Sequence, residues 1–254
     1  MTADTHQNYV APADLLTGRV ILVTGASAGI GREAALQYAR HGATVVLLGR
    51  QVSALETLYD EILSTGGPEP AIYPLDLSGA SPHDYDELAS RLTEALKGVD
   101  GILLNAAMLG TIAPVEFSDA EEFVQVMHTN VTSSFLLVRA LLPHLKTRED
   151  AAVLLTTSGV GRKGRAFWGA YAVSKFATEG LMQVLADECA DTGVRVNCVN
   201  PGAVRTKMRA TAFPAEDPDT LVEPAAVMPT YLWLMGPDSH HVRGQSLNAQ
   251  APKP

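Results

Sequence analysis

The chain has 254 residues, 46% of them hydrophobic and 19% charged, with a formal net charge of −9. That length suits one large α/β domain with a substantial core, and the composition excludes a disordered or fibrous chain. The acidic balance argues against nucleic-acid binding, and no apolar run approaches the roughly 18 residues of a membrane span.

In chain order, residues 1–15 read as a loosely held extension. Residues 1–11 are polar and lack the basic-then-apolar order of a secretion signal, which predicts a cytoplasmic protein. Residues 20–24 form a short apolar stretch rich in β-branched side chains and read as a buried strand. Gly25-Ala26-Ser27-Ala28-Gly29-Ile30-Gly31 follows, and residues 32–40 show helical spacing, with Ala35, Leu36 and Ala39 on one stripe. A strand, a glycine turn and a helix start suit phosphate binding. Free N–H groups at the helix N-terminus point at the anion, and the missing Cβ atoms let a diphosphate approach. The spacing differs from the common G-x-G-x-x-G fingerprint, and a tight turn without a ligand is the alternative.

Further strands are expected at 44–48, 71–75, 101–104, 153–157, 194–199 and 245–248, and long helices at 119–145 and 170–191. Pro143 is expected to bend or end the first helix. The alternation predicts a single-domain, Rossmann-like, doubly wound parallel sheet of about seven strands with helices on both faces. The domain spans 16–250, with a loose tail at 251–254. Such a sheet binds ligands outside the carboxyl ends of its strands, where the strand order reverses. After the second strand, Gly49 is followed by Arg50. An acidic residue there would accept from a ribose 2′-hydroxyl and select NAD. A guanidinium instead offers a planar, permanently charged fork to a 2′-phosphate, which favours NADP(H). A solvated loop arginine is the alternative. Cys189 and Cys198 have no His or Cys at metal spacing, so both read as buried reduced thiols and no metal is expected.

Tyr171 and Lys175 lie one helical turn apart, and Ser158 lies thirteen positions before Tyr171, at the end of an apolar run. An ammonium at i+4 shares a helix face with the phenol and favours the phenolate. It is expected to draw the tyrosine pKa from roughly 10 towards neutrality. A tyrosine tuned this way exchanges a proton with an oxygen near pH 7.

Thr24-Gly25-x-x-x-Gly29-Ile30-Gly31, Asn105-Ala106, Asn130, Ser158, Tyr171-x-x-x-Lys175 and Pro201-Gly202 together resemble the short-chain dehydrogenase/reductase superfamily in order and spacing. The resemblance runs over about residues 18–250, and the stretches 21–31, 161–171 and 231–235 look like the YciK-type oxidoreductases of bacteria. It implies reversible hydride transfer between a nicotinamide and a carbonyl or alcohol carbon. Tyr171 is then the proton donor, while Ser158 holds and polarises the substrate oxygen. Lys175 lowers the tyrosine pKa and binds the nicotinamide ribose, and Asn130 positions a water that connects Lys175 to solvent.

For NADP(H), the resemblance implies contacts from Thr24, Gly25, Ser27, Gly29, Ile30 and Gly31, with Arg50, Asp76 and Leu77 beyond them; Asp76 accepts from the adenine amino group. It adds Asn105, Ala106, Tyr171 and Lys175, then Pro201, Gly202, the backbone of Val204 and the hydroxyl of Thr206 around the carboxamide. Ala107 stands where the family has glycine, so its backbone avoids positive φ or bears a small strain. The helices at 119–145 and 170–191 are implied to pack against a sister subunit in a homodimer or homotetramer. Residues 207–223, with Pro214 and Pro218, correspond to a substrate lid in which 208–213 can form a short helix.

Arg162, Lys163 and Arg165, with Arg205, Lys207 and Arg209, border the substrate mouth in that fold. They suggest an anionic group on the small-molecule substrate. Solvated loops or contacts to the NADP phosphates are the alternatives. Two other functions compete: a sensor or scaffold that binds NADP(H) without turnover, because fold alone never proves catalysis, and an epimerase or dehydratase, whose relatives are longer.

Overall fold

The computed structural model describes residues 6–251. Seven parallel strands form one sheet in the order β3-β2-β1-β4-β5-β6-β7. They are β1 (Val20–Thr24), β2 (Thr44–Gly49), β3 (Ala71–Pro74), β4 (Gly101–Leu104), β5 (Ala151–Thr156), β6 (Val194–Asn200) and β7 (Ser246–Asn248). Among the described residues, eight α-helices connect or flank them: α1 (Gly29–Arg40), α2 (Val52–Ser64), α3 (Pro82–Leu96), α4 (Ala120–Met127), α5 (Ser133–Leu145), α6 (Gly169–Glu188), α7 (Lys207–Ala212) and α8 (Met228–Met235).

Alternate strand residues face opposite layers. Ile21, Val23, Val45 and Leu47 pack with Ala35, Leu55, Leu58 and Tyr231 from α1, α2 and α8. Leu22, Val46, Ile102 and Val153 pack with Leu88, Leu141 and Met182 from α3, α5 and α6. Burial on both faces is why the strands read as unbroken apolar runs. Val23 is in register with Leu47 on one side and Leu103 on the other. The strand order therefore reverses between β1 and β4, and a cleft opens above their carboxyl ends.

Several boundaries differ from the sequence expectation. The expected helix at 119–145 is interrupted: α4 ends at Met127, residues His128–Thr132 form a π-turn, and α5 resumes at Ser133. Pro143 lies two residues before the end of α5. The second long helix ends at Glu188, so Cys189 lies just past it; Cys189 and Cys198 are both buried free thiols. Residues 6–15 are docked, not loose. The His6 ring stacks on Trp233 at 5.5 Å, Tyr9 donates to Asp238 at 2.7 Å, and a Cβ on Gly236 would meet the Leu15 side chain. Of the expected tail at 251–254, residues 252–254 lie outside the described residues.

At the amino ends of the strands, the buried Arg195 guanidinium donates to Asp150 at 2.9 Å, to the Leu234 and Gly236 carbonyls at 2.8 and 3.0 Å, and to Ser239 Oγ at 2.7 Å. Asp150 also receives Arg19 at 2.6 Å. Burial pushes the Asp150 carboxyl up, but the two guanidiniums outweigh it and hold the group below its ordinary range.

Candidate active site

The cleft at the switch point has a volume of about 370 Å³. Its outer end is the turn between β1 and α1. Gly25 and Gly29 have φ of 67° and 55°, a region that L side chains rarely adopt. Ala28 precedes α1 and contributes no side-chain cap, so the first-turn N–H groups remain available to a ligand. Gly31 serves a different need. A Cβ there would sit 2.4 Å from the Gly25 carbonyl oxygen and 2.6 Å from Asn105 Nδ2.

Of the residues expected to meet a cofactor, Gly25, Ser27, Gly29, Ile30, Arg50, Asp76, Leu77, Asn105, Ala106, Tyr171, Lys175, Pro201, Gly202, Val204 and Thr206 line this cleft. Thr24 and Gly31 do not. Buried Thr24 instead ties the two strands at the switch point: its Oγ1 accepts from the Asn105 and Ala106 N–H groups at 2.9 and 3.1 Å. Arg50 is exposed at the cleft edge, and no hydrogen bond or ion pair engages it among the described residues. Asp76 accepts from the Ser78 N–H and hydroxyl, at 3.0 and 2.8 Å, which lowers its pKa. Ala107 is not among the residues with positive φ, so replacing the family's glycine introduces no backbone strain there.

The inner end brings Ser158, Tyr171 and Lys175 together. The tyrosine expectation needs correction. Burial pushes the Tyr171 phenol up to about 12, and a hydrogen bond with Ser158 opposes that only partly. The ammonium does not act as the i+4 spacing suggests. Lys175 Nζ donates to the Thr156 carbonyl at 2.7 Å and stands 5.5 Å from the Tyr171 ring centroid. Burial lowers Lys175 itself to about 8. Tyr171 therefore holds its proton at neutral pH, as a general acid requires.

Asn130 also differs from expectation. It sits in the π-turn and does not line the cleft. Its Oδ1 accepts from Met108 N–H at 2.7 Å, while Nδ2 donates to the Met108 carbonyl and to Ser174 Oγ, both at 2.9 Å. Ser174 Oγ donates in turn to the Tyr171 carbonyl at 2.8 Å. Both amide hydrogens thus clamp the Met108 loop to α6 at Ser174. Sequence reasoning missed Ser174, although its place inside Tyr171-x-x-x-Lys175 put it on the same helix.

The six cations do not converge on the mouth. Arg162 pairs with Glu179 and donates to Ser246 and Asn248; Arg205 pairs with Asp219 and Glu223; Arg209 pairs with Glu216. Only Lys207 and Arg209 of the six line the cleft. Lys163 and Arg165 are exposed outside it. The anionic-substrate expectation therefore retains little geometric support. Among the described residues, no His/Cys/Asp/Glu group suited to a metal ion occurs, and no helix is long and apolar enough to cross a membrane.

Residues 19–217 match the short chain dehydrogenase family. The chain is 49% identical over 243 residues to the uncharacterized oxidoreductase YciK of Escherichia coli strain K12, covering 96% of each. It superimposes on a short chain dehydrogenase from Pseudomonas syringae with a TM-score of 0.94 at 56% identity, covering 95% of this chain and 98% of that one. A Shigella flexneri short chain dehydrogenase solved in complex with NADP gives a TM-score of 0.92 at 50% identity, covering 94% and 100%. The chain belongs to the short-chain dehydrogenase family and is an oxidoreductase.

Proposed function

We propose that the chain is an NADP(H)-dependent oxidoreductase that interconverts a small-molecule carbonyl and its alcohol, with Tyr171 as proton donor. One observation carries this reading: the Tyr171 phenol, Ser158 and Lys175 meet at the inner end of a cleft whose outer end is a glycine turn flanked by Arg50. The residues fit the dinucleotide. Gly25, Gly29 and Gly31 leave the turn without side chains at three of its seven positions, and no hydrogen bond or ion pair engages Arg50 among the described residues, which leaves its guanidinium for a 2′-phosphate. Gly25, Ser27, Gly29 and Ile30 would hold the diphosphate, Asp76 and Leu77 the adenine, and Pro201, Gly202, Val204 and Thr206 the carboxamide. When bound, NADP(H) supplies or accepts the hydride.

The protein's own part is proton traffic and orientation. The Tyr171 hydroxyl donates its proton to the substrate oxygen, and the Ser158 hydroxyl hydrogen-bonds the same oxygen as charge develops there. Lys175, easily deprotonated because it is buried, stands beside the phenol and binds the ribose hydroxyls. Asn130 and Ser174 keep α6 and the Met108 loop in register. A homo-oligomer is proposed as well, because Phe135, Phe176 and Val184 on α5 and α6 are about half exposed, at 50%, 46% and 56%. Buried free thiols fit a reducing, cytoplasmic setting.

The test is Tyr171→Phe with NADPH and a panel of aldehydes and ketones. Turnover is expected to fall by at least about a hundredfold, with the NADPH Kd unchanged within twofold. A phenylalanine variant as fast as wild type removes Tyr171 from the mechanism. Saturable NADPH binding by wild type without reduction of any carbonyl supports a sensor instead.

A further inference from the structure

Beyond Tyr171, the cleft is walled by two rings on separate segments, Trp168 just before α6 and Phe213 just after α7. Their centroids lie 5.5 Å apart, and the indole stands 5.9 Å from the Tyr171 ring in an edge contact at 60°. Arginines fix the pair. Arg165 Cζ lies 5.7 Å from the indole centroid and 5.3 Å from the Phe213 centroid, and Arg209 Cζ lies 3.8 Å from Phe213. Arg209 is anchored in turn by Glu216 at 2.6 Å.

The backbone also commits to this arrangement. Phe167 has φ of 75°, which a bulky L residue adopts only where its surroundings enforce it. Its carbonyl accepts from Ala113 N–H at 3.0 Å, and its own ring is left 56% exposed. The strained residue thus faces solvent while its neighbour Trp168 faces the cleft. Met108, Leu109 and Met208 line the same cleft, in which Asp76 is the one carboxylate among the described residues.

We infer that the group adjoining the substrate's carbonyl is a flat, π-rich ring held against Trp168 and Phe213, so that the preferred substrates are aromatic aldehydes or ketones and the matching alcohols. This specifies the substrate of the oxidoreductase proposed above and rests on that reading. Aromatic pairs at these separations gain attraction beyond the burial that a saturated ring of the same size would enjoy. Two such contacts give a preference on the order of tenfold. Trp168 and Phe213 are specificity residues in this account, and the proton still comes from Tyr171.

The experiment uses the full-length enzyme and a matched pair, benzaldehyde and cyclohexanecarbaldehyde. The kcat/KM ratio for the pair, measured with NADPH, is expected to fall on the order of tenfold in Trp168→Leu and Phe213→Leu, mainly through benzaldehyde. A second readout needs no turnover. Trp168 and Trp233 are the chain's two tryptophans, so Trp233→Phe leaves Trp168 as the reporter. Benzyl alcohol is expected to change its fluorescence saturably and more tightly than cyclohexylmethanol, and adding Phe213→Leu is expected to weaken that binding. Equal binding of the two alcohols, or a kcat/KM ratio unaltered in both leucine variants, overturns the inference even if carbonyls are reduced. Selective benzyl alcohol binding without reduction of any carbonyl overturns the oxidoreductase reading and leaves the aromatic subsite standing.

Discussion

Replacing Gly31 with alanine separates a phosphate cradle from an ordinary turn. The new Cβ sits 2.4 Å from the Gly25 carbonyl oxygen and 2.6 Å from Asn105 Nδ2. Comfortable contact needs about 3.5 Å, so the first turn of α1 must retreat by roughly 1 Å from the glycine turn or from the Asn105 loop. Gly25 is backbone at positive φ, and the Asn105 side-chain amide accepts from Thr156 Oγ1, so neither neighbour yields freely. Overpacking of this kind costs about 1–3 kcal/mol, which for a domain of this size lowers Tm by roughly 2–12 °C. The same movement takes the α1 N–H groups off a bound diphosphate. Losing even one charge-assisted hydrogen bond weakens NADPH binding about tenfold or more. Circular dichroism melting gives the first quantity, and NADPH fluorescence titration gives the second. Gly79→Ala is the control, since a Cβ there meets nothing within 4 Å. Tm and Kd both equal to wild type in Gly31→Ala would refute the steric argument. A lowered Tm with an unchanged Kd would keep the packing role and discard the phosphate cradle.

Arg50→Asp is expected to reverse cofactor preference, raising kcat/KM with NADH relative to NADPH by at least about tenfold, because a carboxylate repels a 2′-phosphate and accepts from a 2′-hydroxyl. An unchanged ratio identifies Arg50 as a solvated loop residue. Arg195→Met removes a buried guanidinium, leaving Asp150 with Arg19 alone and the Leu234 and Gly236 carbonyls with only the longer contacts from Ser239 Oγ. A loss of about 3–5 kcal/mol is expected from urea denaturation, and a loss below 1 kcal/mol would contradict it. Asp150 also sets an acid dependence. Its native pKa is depressed, so its contribution is complete above the unfolded value and disappears as pH falls through the native one. Stability is therefore expected to decline below about pH 4, and Asp150→Asn is expected to flatten that part of the curve.

The strands were legible because both faces of the sheet are covered, which leaves near-continuous apolar runs such as Val20–Thr24 with little polar alternation. The glycine turn was legible because its demands fall on seven consecutive residues, with Gly25 and Gly29 at positive φ and Gly31 against the Gly25 carbonyl oxygen. The break at Asn130 was not. A π-turn inserts a residue into a helix without changing its amino-acid preferences, and His128–Thr132 reads as ordinary helix. The N-terminal segment misled for a related reason. Polar His6 and Tyr9 look unanchored, yet their partners Thr230 and Asp238 lie 224 and 229 residues away.

Two electrostatic expectations, the acidified Tyr171 and the basic substrate mouth, failed in one direction, and the cause is common to them. Sequence spacing supplies proximity along a helix but leaves open where a flexible charged stem points. Lys175 shares a helix face with Tyr171, yet its ammonium is held by the last carbonyl of β5, which comes from the middle of the sheet. Arg162 and Arg205 border the cleft in sequence, yet Glu179, Asp219 and Glu223 draw them away from it. In both cases a nearby acceptor captures the cation, because an unpaired charge against low-dielectric protein is costly. Arg50 and Lys207 are the cleft-lining cations that no such acceptor engages among the described residues. Charge at this site therefore has to be read from what remains unpaired, and the number of basic residues near a motif is a poor guide to what its ligand carries.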